Sequence, residues 1–88
     1  MSKRAIVLHP DDNVATALAD FEAGETVEAK GATVTVREKV PFGHKVALAR
    51  IAQGAQITKY GEQIGLATSD IPEGSCVHVQ NVDSQRGR

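Results

Sequence analysis

The sequence predicts a mostly β domain with one short N-terminal helix. Three observations point there. The pattern apolar-x-x-Gly-x-x-apolar occurs at Phe21/Gly24/Val27, Ile51/Gly54/Ile57 and Ile71/Gly74/Val77. The first two copies extend at a constant offset of 30 residues: Ala17-Leu18-Ala19 answers to Ala47-Leu48-Ala49, and Gly31 and Val34 answer to Gly61 and Ile64. Each copy reads as a short apolar segment, a turn at glycine and a re-entering strand led by a β-branched residue, giving two related halves and a closing element. Phe21, Phe42 and Tyr60 are the only aromatics and there is no Trp. The core must therefore be built from Val, Ile, Leu and Ala spread over many short elements.

Taken in order, Arg4 to Leu8 reads as a strand that Pro10-Asp11-Asp12 closes. Asp11 or Asp12 then caps a short helix from about Asn13 to Asp20, with Val14, Ala17, Leu18 and Phe21 on one apolar face. Thr26 to Ala29 and Thr33 to Glu38 alternate apolar and polar residues around Lys30-Gly31, the signature of a hairpin. Pro41 to Lys45 forms a bend: Pro41 fixes its own φ, Gly43 accepts a positive one, and His44 and Lys45 leave the bend together. Lys45 to Ile51 fits either a strand or a helical turn. Gln56 to Lys59 and Gln63 to Thr68 repeat the hairpin around Tyr60-Gly61, and Cys76 to Val82 is a last strand.

With 88 residues the chain is a single domain over residues 1–88 with an ordered core from about residue 4 to about residue 82. Such a chain buries roughly 60–65% of its unfolded surface, so the core is thin and a deep, self-sufficient catalytic pocket is not expected. A net charge of −1, from 10 basic and 11 acidic residues, lacks the footprint of a nucleic-acid binder. The basic end Arg86-Gly87-Arg88 is short and expected to fray. Cys76 is the only cysteine, which excludes an internal disulfide and thiolate clusters and fits a reducing cytoplasm. Ala5 to Leu8 is too short an apolar run for a signal peptide or a membrane span.

Four polar groups stand outside what the β pattern needs. His9-Pro10-Asp11-Asp12-Asn13 places carboxylates at the expected helix start, where exposed amides would also favour an anion. In His44-Lys45 an imidazole suited to acid–base work adjoins a cation that would attract a carboxylate. Lys59-Tyr60-Gly61-Glu62 sits on a hairpin tip, where a solvated Lys-Glu pair is the plain reading. In the last strand, alternation puts His78 and Gln80 on one face, Val77, Val79 and Asn81 on the other. Three histidines without a thiolate partner or clustered spacing make no zinc site, and no nucleophile elbow, P-loop or dinucleotide fingerprint occurs.

Several segments together carry a family likeness: Asp12-Asn13-Val14-Ala15 with Ala17-Leu18, Gly43-His44-Lys45-Val46-Ala47-Leu48, Ile51-Ala52-Gln53-Gly54, Ile57-Thr58-Lys59-Tyr60-Gly61, Ile64-Gly65, Asp70-Ile71 and Val77-His78-Val79-Gln80-Asn81. They span almost the whole chain, and in them it resembles the SAF domain of altronate and galactarate dehydratases. The resemblance implies a β-clip fold, a small mostly β domain whose long hairpins fold over one another. It also implies a hydro-lyase that removes the proton next to a sugar-acid carboxylate and expels the β-hydroxyl as water. A divalent metal, iron, would polarise the substrate and be held mainly by a large partner subunit or domain, with no metal ligands in this chain alone. His44 and His78 are then the candidate catalytic residues, Lys45 and Lys59 the carboxylate contacts, and Asn13 and Asn81 the hydroxyl contacts.

Members of that family commonly carry a second histidine where this chain has Gln80, which bars a two-histidine role on the last strand. The resemblance implies a separate small subunit, or a piece ending at a domain boundary, that contributes part of a shared active site. The alpha subunit of a sulfolactate sulfo-lyase, with sulfite as leaving group, is an alternative. A third is a non-catalytic module that binds sugar acids or serves assembly. The expected partners are the large subunit and a sugar acid, without nucleic acid or membrane, and a homo-oligomer is compatible with all three readings.

Overall fold

The computed structural model describes residues 5–7, 9–29 and 31–84. Among these the chain forms nine strands: β1 (Ala5–Ile6), β2 (Val14–Ala17), β3 (Thr26–Ala29), β4 (Ala32–Thr35), β5 (Lys45–Ala47), β6 (Gln56–Lys59), β7 (Glu62–Ala67), β8 (Cys76–Val77) and β9 (Val82–Asp83). All pairings are antiparallel, in a four-stranded sheet of order β1-β2-β5-β8, the β3-β4 hairpin, and a three-stranded sheet of order β6-β7-β9. Strands β3 and β6 run over the expected residues. Arg4, Leu8, Lys30 and the segment Arg86-Gly87-Arg88 lie outside the described residues. No helix among the described residues is long and apolar enough to cross a membrane.

The helix expected from Asn13 to Asp20 is a strand. Val14, Ala15 and Ala17 are all buried, whereas Leu18, meant for the inward face, is 44% exposed. Burial of successive residues belongs to a strand covered on both faces, not to a helix with one apolar stripe. The backbone is held from both sides: Asn13 N–H donates to Thr58 O, Leu48 N–H to Asn13 O, and Ala17 N–H to His44 O. No Asp caps a helix either; Asp12 is buried and its Oδ1 accepts the Gly61 N–H at 2.8 Å.

The repeat is visible in the hydrogen bonds. Phe21 bridges Val40 as Ile51 bridges Ile71. Gly24 N–H donates to Val36 O as Gly54 N–H does to Ala67 O, and Val36 N–H to Glu25 O as Ala67 N–H does to Ala55 O. The offset thus grows from 30 to 31 residues, and the register shift between Ile57 and Thr58 in the second hairpin accounts for the extra residue. With that shift a fourth copy of the glycine pattern appears, Val40/Gly43/Val46, equivalent to Ile71/Gly74/Val77. Gly43 and Gly74 have φ of 85° and 87°, and each closes a turn behind a proline: His44 N–H donates to Pro41 O, Ser75 N–H to Pro72 O. The strands after these turns, β5 and β8, pair with each other, Lys45 opposite Val77 and Val46 opposite Cys76.

Two apolar clusters result. Ala15, Ala17, Phe21, Val27, Val36, Val40, Val46 and Cys76 form the first. Val14, Ala47, Ile51, Ile57, Ala67, Ile71 and Val77 form the second. Because side chains alternate across a strand, β2, β5 and β8 each feed both clusters, and the four-stranded sheet is the wall between them.

The last strand also differs from expectation. It breaks after Val77: Asn81 N–H donates to His78 O at 3.0 Å, while the Asn81 side chain accepts the His78 N–H and donates to Cys76 O. This Asn-closed turn sends β9 off to pair with β7 and leaves Val79 80% exposed. His78 and Gln80 therefore do not share a strand face.

Candidate functional site

His44 and His78 meet because of the β5-β8 register. Lys45 opposes Val77, so the next positions outward, His44 and His78, face each other across the open end of the pair. Their rings stack with centroids 3.9 Å apart and planes 16° from parallel. Both are half-buried. His78 Nδ1 is buried with no hydrogen-bond partner among the described residues. The imidazolium would put an N–H there without an acceptor, and desolvation, with His44 and then Lys45 nearby, holds the His78 pKa below 6.5.

Near the pair lie one ammonium group, that of Lys45, and a thiol. Half-buried Lys45 has its pKa pushed down from 10.5 by desolvation and then by Lys59, an effect the Cys76 charge opposes. Lys59, at the end of β6, acts on Lys45, and its Nζ lies 4.9 Å from the Tyr60 ring centroid. Cys76 lies beneath His44, with Sγ 3.9 Å from His44 Nδ1. Burial first, then the Glu38 carboxylate, pushes the thiol pKa above 9.0, and Gln80 and Lys45 pull the other way. Glu38 Oε2 also accepts the Cys76 N–H at 3.0 Å.

The remaining candidates are used within the fold. Asn13 Oδ1 accepts the Thr58 N–H at 2.8 Å and its Nδ2 donates to Gln56 O at 2.9 Å, tying β2 to the second hairpin. Asn81 closes the turn that carries His78. The structure thus stacks His44 on His78 with Lys45 close enough to act on His78, leaves Lys59 acting on Lys45, and sets Asn13 and Asn81 in the frame that supports them. Cys76 and Glu38 join the group without having been singled out as site residues. Cys76 stands two positions before His78, where strand alternation could have revealed it, but Glu38 is brought in only by long-range pairing.

No group of three His, Cys, Asp or Glu among the described residues can hold a metal ion. Nearly parallel stacked rings cannot aim their nitrogens at one ion, so the histidines do not fit a shared metal position. A cleft of about 330 Å³ lies elsewhere, lined by Asp11, Asn13, Ala29, Val34 and Leu48 among others, and the histidines take no part in it.

Comparison with known proteins agrees with these features. The family model of the altronate/galactarate dehydratase SAF domain matches residues 3–85. Altronate dehydratase of Escherichia coli is 50% identical over 76 residues, covering 86% of this chain but 15% of the relative. Altronate dehydratase of Bacillus subtilis is 42% identical over 79 residues, 90% of this chain and 16% of the relative. The chain thus spans about 15% of the length of those relatives. The (2R)-sulfolactate sulfo-lyase subunit alpha of Chromohalobacter salexigens is 30% identical over 93 residues, covering 98% of this chain and 99% of the relative. A family match over residues 3–85 makes this protein a member of the altronate/galactarate dehydratase SAF domain family.

Proposed function

We propose that the chain is the small part of a sugar-acid hydro-lyase and contributes one wall of an active site that a large partner completes. The observation that carries this reading is the stacked His44–His78 pair, with Lys45 acting on His78 and Lys59 acting in turn on Lys45. Lys59 raises the cost of the charge on Lys45, and an anion bound between them relieves that repulsion, so a substrate carboxylate docks there. His78, kept neutral, takes the proton next to that carboxylate on its lone pair, and His44 hydrogen-bonds the departing hydroxyl, which leaves as water once the proton held by His78 passes to it. Asn13 and Asn81 act through the frame, by holding the second hairpin and the His78 turn. A divalent metal on the partner would supply Lewis-acid polarisation of the substrate, since no group of three His, Cys, Asp or Glu among the described residues could hold it.

The test is turnover of altronate and galactarate by the chain assembled with its large partner. His44→Ala and His78→Ala should each lower kcat by about 10²–10⁴. Full activity in both variants would remove the acid–base assignment and leave a binding or assembly module. A second reading, subunit alpha of a sulfolactate sulfo-lyase, is supported by the 30% identity of the chain to one such subunit over 93 residues. Release of sulfite from sulfolactate, without loss of water from altronate, would select it.

A further inference from the structure

We propose that Cys76 is the positioning residue of His44: its thiol donates to His44 Nδ1 and fixes the ring as the tautomer that carries its proton on Nε2. The catalytic meaning of this rests on the acid–base reading above; the contact itself does not.

Cys76 occupies β8 one step inward of the histidine pair, opposite Val46, so its side chain leaves the sheet on the same face as His44 and His78. The sulfur is 3.9 Å from Nδ1, within reach of a sulfur hydrogen bond, and the residue is 7% exposed. Its peptide is held at both ends, the N–H by Glu38 Oε2 at 3.0 Å and the C=O by Asn81 Nδ2 at 2.9 Å. The sulfur is therefore fixed relative to β5. Stacking on His78 in turn fixes the plane of the His44 ring, which leaves the Nδ1 edge on the thiol.

Two directions of this hydrogen bond are chemically possible, and the surroundings choose between them. Burial and the Glu38 carboxylate keep the sulfur protonated, so it has a proton to give. A neutral imidazole has one bare nitrogen, and the thiol set against the Nδ1 edge is a donor that can fill it. His44 then presents Nε2–H to whatever the open face binds. That makes His44 a donor to a substrate oxygen and leaves proton acceptance to His78.

The experiment is a long-range proton–nitrogen correlation spectrum of the ¹⁵N-labelled 88-residue chain at mildly alkaline pH, with no substrate or partner. His44 Nδ1 should resonate as a bare nitrogen and Nε2 as a protonated one. Cys76→Val keeps bulk and strand propensity but removes the donor, and should move the tautomer ratio towards Nδ1–H by at least about twofold. A proton on Nδ1 in the unmodified chain would overturn the proposal, as would an unchanged ratio in a folded Cys76→Val. Should that variant not fold, Cys76→Ala takes its place and the spectrum of the unmodified chain still decides. Failure here leaves the turnover loss of His44→Ala untouched, so the two readings fall separately.

Discussion

Tyr60 has a φ of 56° and Gly61 one of 78°, the pair of positive values that a two-residue hairpin turn demands. Only Gly61 meets the demand freely. Tyr60 holds a conformation costing on the order of 1 kcal/mol, which persists because the tip is clamped. Asp12 Oδ1 accepts the Gly61 N–H at 2.8 Å, and a Cβ on Gly61 would lie 2.7 Å from His9 Cδ2, so the His9–Asp12 segment covers the turn closely. The clamp also sets where Lys59, one residue before Tyr60, leaves the strand. Asp12→Ala leaves that amide without its acceptor and should cost about 1–3 kcal/mol, with a comparable loss for Gly61→Ala. Urea unfolding of the two variants checks this, and an unchanged midpoint for Asp12→Ala would show that the tip holds its shape unaided. The sequence marks both Asp12 and Lys59-Tyr60-Gly61 as unusual, but a carboxylate after a proline reads equally well as a helix cap. What decides between them is a partner 49 positions away.

At the level of elements, hairpins were legible and crossings were not. Strands β3 and β6 could be read from alternation and turn residues alone, because a hairpin is a local object. The β5-β8 pairing joins residues 30 and 32 positions apart, and it is this pairing that stacks His44 on His78. Two Val-Pro-x-Gly-like turns, at Val40 to Gly43 and Ile71 to Gly74, announce the equivalence of those strands. The one-residue bulge in the second hairpin hides it by breaking the constant offset. Period-2 reasoning failed at His78 for a similar reason: Asn81 turns the chain before alternation can continue. Asn81→Ala removes both side-chain hydrogen bonds of the turn, to His78 N–H and Cys76 O, and should cost about 1–3 kcal/mol. It should also unstack the imidazoles, seen as a loss of mutual ring-current shifts in the proton spectrum. Val79→Ala in the same exposed turn should stay within about 0.5 kcal/mol of the parent. Retained stacking in Asn81→Ala would mean that the β5-β8 register alone positions His78.

In the whole molecule the site lies on the wall between two cores. Val14 and Ala47 face the second cluster, while their strand neighbours Ala15, Ala17 and Val46 face the first. Neither half can lose its packing without freeing one face of a sheet that the other half needs. The duplication therefore makes one cooperative unit of two hairpin modules, each too small to stand alone. A domain of 88 residues has a stability of about 4–13 kcal/mol, and truncating the fully buried Phe21 to Ala should cost about 3–5 kcal/mol of it. Tyr60 gives a way to see whether that loss crosses the wall. It is the only tyrosine in a chain without tryptophan and sits on the second hairpin, whereas Phe21 belongs to the first cluster. In Phe21→Ala, Tyr60 fluorescence and far-ultraviolet circular dichroism should report the same lowered urea midpoint. A Tyr60 midpoint left at its parental value, with part of the dichroism lost earlier, would show two independently melting halves.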